Sequence, residues 1–179
     1  MLSTHPLEFR TLNEEVVYGN TANTAVNCVD VVTLKDLAKE NVRRRVRLCA
    51  HSDSSDAVHE MLIIHDRDTY VPPHKHLGKS ESIHIIEGCT DLVLFDDDGR
   101  LRRVIRMGDY ASGLNFYFRM SEPVFHTLLI RSDTLVFHET TKGPFERSDT
   151  EFAIWAPSAS DLTGVSRYMV DLNKQLGVI

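Results

Sequence analysis

The stretch that decides the fold is Pro73-His74-Lys75-His76-Leu77-Gly78-Lys79-Ser80-Glu81. His74 and His76 are two residues apart, so on an extended segment both imidazoles leave the same face. Leu77-Gly78-Lys79-Ser80 reads as a turn, and a strand following it brings Glu81 back beside the histidines before Gly88 closes it. Imidazole nitrogen suits divalent first-row metals, and a nearby carboxylate adds a hard anionic ligand. The nonapeptide therefore predicts two short strands around a turn, with a metal site where they meet.

The same texture extends outward, from about residue 46 to 156. Glu60 to Ile64, Ser82 to Ile86, Leu92 to Phe95 and Thr134 to Phe137 are short runs rich in β-branched and aromatic residues, bounded by turn signals. Asp96-Asp97-Asp98-Gly99 lacks the spaced acids and final Glu of a calcium loop and reads as a solvated hairpin turn. Many short strands at regular spacing mean a sandwich or barrel. Two helices flank it. Thr33 with Asp36 matches a capping box, and Leu34, Leu37, Ala38 and Val42 follow at helical spacing. At the other end Val165, Met169, Leu172 and Leu176 line one helical face, and Gly177 is a C-cap candidate. Val16 to Tyr18 and Val29 to Val32 read as short edge strands, with a loop from Gly19 to Thr24 between them. The chain divides into an N-terminal extension over 1–32, a β domain with its preceding helix over 33–157, and a C-terminal helix over 158–179.

Composition limits the function classes. At 179 residues the chain is one domain's length, and 42% hydrophobic with 26% charged residues suits a packed core and a solvated surface. No apolar run approaches the roughly 20 residues of a membrane span. The net charge of -6 disfavours nucleic acid and anionic membranes as partners. The basic run Arg43, Arg44, Arg45 and Arg47 reads as the cationic end of the first helix, complementing its dipole. Cys28, Cys49 and Cys89 form no CxxC pair, and residues 1–30 hold no apolar leader core, so a cytoplasmic protein is expected. No Gly-x-Ser-x-Gly elbow appears.

The spacing His74-x-His76-x4-Glu81-x6-Gly88 resembles the first motif of the cupin superfamily, and His126 matches the histidine of its second. Further stretches resemble the WbuC-type family of cupin metalloproteins: Arg47 to His51, Asp56 to Leu62, Lys79 to Ser82, His138 to Phe145, and Trp155 to Pro157. The resemblance implies a single cupin (double-stranded β-helix, jelly-roll) barrel, mainly β. It also implies that His74, His76, Glu81 and His126 hold one divalent transition metal ion, Fe, Mn, Ni, Co or Zn. Such proteins are often encoded with genes for surface-polysaccharide sugars, which implies a small polar or sugar-like ligand, such as a sugar or nucleotide sugar. A metal-dependent enzyme (isomerase, epimerase or oxygenase), a non-catalytic binding protein and a structural metal are the competing functions. Cupins commonly dimerise, so a homodimer is expected through the N-terminal strands.

Around the metal, Lys79 and Arg119 are candidates to bind substrate, and His59 and Tyr117 to move a proton. Tyr117 and Arg119 are two apart and share a face, opposite Phe116 and Phe118. His84 is three residues after Glu81, so it points to the other face and is not a ligand. His51, His65 and His138 read as hydrogen-bonded structural histidines.

Overall fold

The computed structural model describes residues 7–20 and 23–178. Residues 1–6, 21–22 and 179 lie outside the described residues, and with them parts of the expected N-terminal extension, Gly19 to Thr24 loop and C-terminal segment. The chain runs through β1 (Phe9–Asn13), β2 (Val16–Gly19), α1 (Cys28–Glu40), β3 (Arg45–Cys49), β4 (Val58–Asp66) and β5 (His74–His76). It continues through β6 (Glu81–Glu87), β7 (Cys89–Phe95), β8 (Leu101–Gly108), β9 (Tyr117–Met120), β10 (Phe125–Ile130), β11 (Thr134–Lys142), β12 (Thr150–Phe152) and α2 (Leu162–Gln175).

The strands form two sheets, ordered β1-β2-β3-β4-β11-β6-β9 and β12-β5-β10-β7-β8. From β4 onward every connection crosses between the sheets except the β7–β8 hairpin at Asp98-Gly99. The strand pattern called for a sandwich or barrel, and the two sheets form the double-sheet jelly-roll barrel that the family resemblance implies. Gly88 makes one of the crossings. Its φ is +84°, and a Cβ there would meet the Thr134 carbonyl oxygen at 2.4 Å, so a side chain has no room.

Three apolar layers hold the barrel. Between the sheets, Met61, Ile63, Ile83, Ile85 and Phe137 pack against Leu92, Leu94 and Leu128. On the outside of the larger sheet, Leu34 and Ala38 of α1 cover Val17, Val46, Leu48, Ile64 and Val136. On the outside of the smaller one, Leu172 of α2, with Met169 and Leu176, covers Val93, Phe95, Phe125 and Leu129. Each fully buried side chain of this kind stabilises by about 1.5–3 kcal/mol relative to exposure. Covering explains the strand patterns. β10 is buried at every position, its polar His126 and Thr127 included, whereas β6 alternates because no helix covers its outer face. The ends of α2 follow the local signals. Asp161 caps the start, and at the far end Gly177 (φ +67°) and Val178 donate back to the Lys174 and Asn173 carbonyls.

The N-terminal region departs from expectation. Val29 to Val32 is helical, because the true cap lies upstream. Asn27 accepts from the Val29 and Asp30 backbone N–H groups, and Asp30 accepts from the Asn27 N–H at 2.8 Å. Thr33 sits inside the helix, its hydroxyl turned back to the Val29 carbonyl. The arginine run is not the helix end either. α1 stops at Glu40, Arg43 and Arg45 pair with Glu15, and Arg44 pairs with Asp66. These pairs tie the start of β3 to the residue before β2 and to the end of β4, so the three arginines are held by carboxylates of their own chain. β2 lies between β1 and β3 of its own chain, so the free edge at this end of the sheet is β1.

Candidate metal centre

His74 and His76 leave the inner face of β5, and Lys75 between them points outward to Asp97 and Glu151. His126 of β10 is the cross-strand partner of His74. The three side chains each place a ring nitrogen within 4.8 Å of the others, a grouping that can hold a metal ion. Glu81 comes from the start of β6 in the other sheet. The turn at residues 77–80 thus carries the chain across the barrel, and Glu81 faces the histidines instead of standing on a neighbouring strand. Its carboxylate accepts from His76 Nε2 at 2.8 Å and lies 3.8 Å from His126 Nε2.

The donor set fits a transition ion. His74 Nδ1 lies 2.9 Å from the Pro72 carbonyl and His126 Nδ1 lies 3.0 Å from the Val124 carbonyl, the same i−2 contact made twice. An Nδ1–H donated to a carbonyl fixes the tautomer and leaves the Nε2 lone pair free for a metal. Burial pushes His74 down to about 3, and burial likewise lowers His126, so both rings are neutral, the ligating form. At His76 burial acts downward, but the Glu81 hydrogen bond and charge outweigh it and raise the ring. Burial alone would raise Glu81. The His76 hydrogen bond and the surrounding histidines overcome that and hold it well below the usual carboxylate range.

A narrow cleft with little free volume, about 10 Å³, opens onto the group, rimmed by Lys79, Met120, Glu122 and Val124. Lys79 lies at the mouth, and its ammonium is engaged by Asp149 at 2.9 Å and by the Pro144 carbonyl. Tyr117 and Arg119 are elsewhere. The β6–β9 register sets Glu81 opposite Met120 and Ile83 opposite Phe118, whereas Arg119 is opposite Ser82 and Tyr117 opposite His84. Both side chains therefore stand on the outer face, exposed, with His84 beside them. The expectation that they meet a substrate at the metal is corrected by this register.

His59 does lie on the inner face, opposite Thr141, which is itself opposite Glu81. It is buried and stacks on His51 with ring centroids 4.1 Å apart. Sequence reasoning missed Glu139. It shares the inner face of β11 with Leu135 and Phe137, and its parity with those two residues was the available signal. Burial and then the Glu81 charge push its carboxyl well above the usual range.

The family model described as a domain of unknown function (DUF6016) matches residues 27–107, a little under half of the chain. No curated protein matches it in sequence. Among solved structures, the protein SO0799 from Shewanella oneidensis aligns over 84% of this chain and 97% of its own, with a TM-score of 0.55 and 13% identity, which shows a shared fold. The capsular polysaccharide assembling protein CapF from Staphylococcus aureus aligns over 59% of this chain and 32% of its own, at 15% identity and a TM-score of 0.46. An oxalate decarboxylase from Bacillus subtilis aligns over 54% and 24%, at 17% identity and a TM-score of 0.43. The present chain thus spans about a third and a quarter of those two longer proteins.

Proposed function

We propose that this chain is a mononuclear metalloprotein of the WbuC type, binding one divalent transition ion through His74, His76, His126 and Glu81 and acting as an enzyme on a small polar, sugar-like metabolite. The observation that carries the reading is the convergence of three imidazoles within 4.8 Å, two of them oriented by backbone carbonyls. When bound, such an ion supplies Lewis acidity toward an oxygen of the ligand. The chain's own residues orient and enclose. The Pro72 and Val124 carbonyls hold the rings, Glu81 balances charge, Met120 and Val124 keep the inner rim apolar, and the Lys79–Asp149 pair closes one side. Isomerisation, epimerisation or oxygenation of such a ligand are the candidate reactions. Assembly as a homodimer belongs to this reading, supported by the free edge strands β1 and β9, which need cover.

A second reading, a non-catalytic binding protein using the same cleft, is favoured by the outward placement of Tyr117, which removes one proton-transfer candidate. Turnover on a panel of small sugars and sugar acids separates the two. The metal itself is tested by elemental analysis of protein purified without a chelating column, with an anomalous diffraction map. One ion per chain at the histidine group is expected, with occupancy falling at least tenfold in His76→Ala. No ion there after adding metal overturns the reading.

A further inference from the structure

The three histidines of the metal group are not held alike. His74 and His126 each direct Nδ1 at the carbonyl two residues earlier, at 2.9 and 3.0 Å. Both partners come from just upstream in the chain, so local backbone conformation sets them. His76 makes no contact of that kind among the described residues. Its Nδ1 lies 3.3 Å from the Thr150 hydroxyl, 74 residues away in the chain, which is the longest of the three Nδ1 contacts.

Thr150 opens β12, a three-residue strand at the edge of the smaller sheet. β12 pairs with β5, and the register sets Thr150 opposite His76, Glu151 opposite Lys75 and Phe152 opposite His74. Directly opposed residues share a face. Thr150 and Phe152 therefore join the two histidines on the inside, and Glu151 meets Lys75 at 3.3 Å on the outside. The Phe152 ring lies 6.0 Å from that of His74. Both ends of the strand are pinned to β5's flanks. Leu77 N–H donates to the Asp149 carbonyl at 2.7 Å, and Ala153 N–H donates to the Pro73 carbonyl at 2.9 Å. Asp149, the residue before Thr150, also holds Lys79 at the mouth of the cleft. The Thr150 N–H itself donates to the Arg147 carbonyl.

His76 Nε2 meets Glu81 at 2.8 Å, so Nε2 is the nitrogen turned to the metal group. An imidazole that ligates through Nε2 keeps its proton on Nδ1, and a hydroxyl facing that N–H accepts it. We propose that Thr150 is the positioning residue of His76: its hydroxyl fixes the tautomer and ring orientation that aim Nε2 at the other donors, which ties metal affinity to the seating of β12. A hydroxyl on a distant edge strand thus takes the place of the local carbonyl used by His74 and His126. Partners of this kind touch no metal themselves, yet their loss typically changes metal affinity by about 10–100-fold.

The inference rests on the metal-centre reading, and the experiment separates the two. Cobalt(II) affinity is measured by competition with a chelator, and folding is checked by circular dichroism. Thr150→Val keeps the shape without the hydroxyl, and Thr150→Ser keeps the hydroxyl with less strand preference. A positioning hydroxyl gives about tenfold weaker cobalt binding in Thr150→Val and rescue to within about twofold of wild type in Thr150→Ser. A threonine that serves the strand alone gives the opposite order, because valine is the better strand former. Hydrogen exchange on the wild-type protein needs no variant. Cobalt is expected to slow the Leu77 and Ala153 amides, which bridge β5 and β12, at least about tenfold more than the amides of β1. If Thr150→Val does not fold, the exchange measurement decides. Wild-type affinity in folded Thr150→Val, Thr150→Ser binding no better than Thr150→Val, or slowing at Leu77 and Ala153 no greater than in β1 overturns the role of Thr150. A wild-type protein that takes up no cobalt overturns the metal reading, and this role with it.

Discussion

Replacing His65 with leucine should flatten the acid side of the stability profile. His65 lies on the inner face of β4, 6% exposed, with its ring edge-on to Phe137 at 5.3 Å and its Nδ1 without a partner among the described residues. Burial first, then the positive charges of Arg45, Arg47 and Arg43, push its pKa down to about 3. In the unfolded chain a histidine titrates near about 6.5. Between those values the unfolded chain holds a proton that the folded barrel refuses, so stability falls as pH falls through the window and is unaffected above it. At pH 5 the unfolded side has moved about 1.5 pH units past its midpoint, worth about 2 kcal/mol at 1.36 kcal/mol per unit. At pH 7.5 the same contribution is close to zero. Leucine has a similar volume and no titrating group. Urea unfolding followed by circular dichroism at pH 7.5, 6 and 5 should therefore show the wild-type protein losing about 2 kcal/mol more than His65→Leu over that range. Comparing the two proteins cancels the other acid-sensitive groups. Parallel profiles would refute the reasoning, because they require His65 to be hydrated or charged in the folded state.

Leu34→Ala removes the side chain at the centre of the α1 contact, where Leu34 is 1% exposed, and should cost about 2–5 kcal/mol in denaturant unfolding. Arg119→Ala and Tyr117→Ala, on the exposed outer face of β9, should each change stability by no more than about 0.5 kcal/mol and leave metal content unchanged by elemental analysis.

Local parity and punctuation were enough for much of this molecule. The i, i+2 spacing of His74 and His76 sends two imidazoles the same way from any extended segment, whatever surrounds it. The four-three-four spacing of Val165, Met169, Leu172 and Leu176 marks a helix face, and Asp98-Gly99 marks a hairpin, for equally local reasons. The N-terminal valines misled because β-branched residues carry a strand preference too weak to resist a capped helix whose Leu34 and Ala38 find a sheet to cover. Parity also has a limit. It says that Tyr117 and Arg119 share a face and that Phe118 takes the other, but it does not say which face is inside. That was decided by the pairing of β9 with β6, where Phe118 meets Ile83 and Met120 meets Glu81. Likewise, only the crossing of the chain from β5 in one sheet to β6 in the other sets Glu81 opposite the histidines, and only the register of β11 sets Glu139 beside Glu81. Which residues can bind a metal is a property of short-range chemistry and spacing. Which of them meet, and what else faces the same space, depends on partners dozens of residues away in the chain, and those are chosen by burying the apolar faces of two sheets against each other.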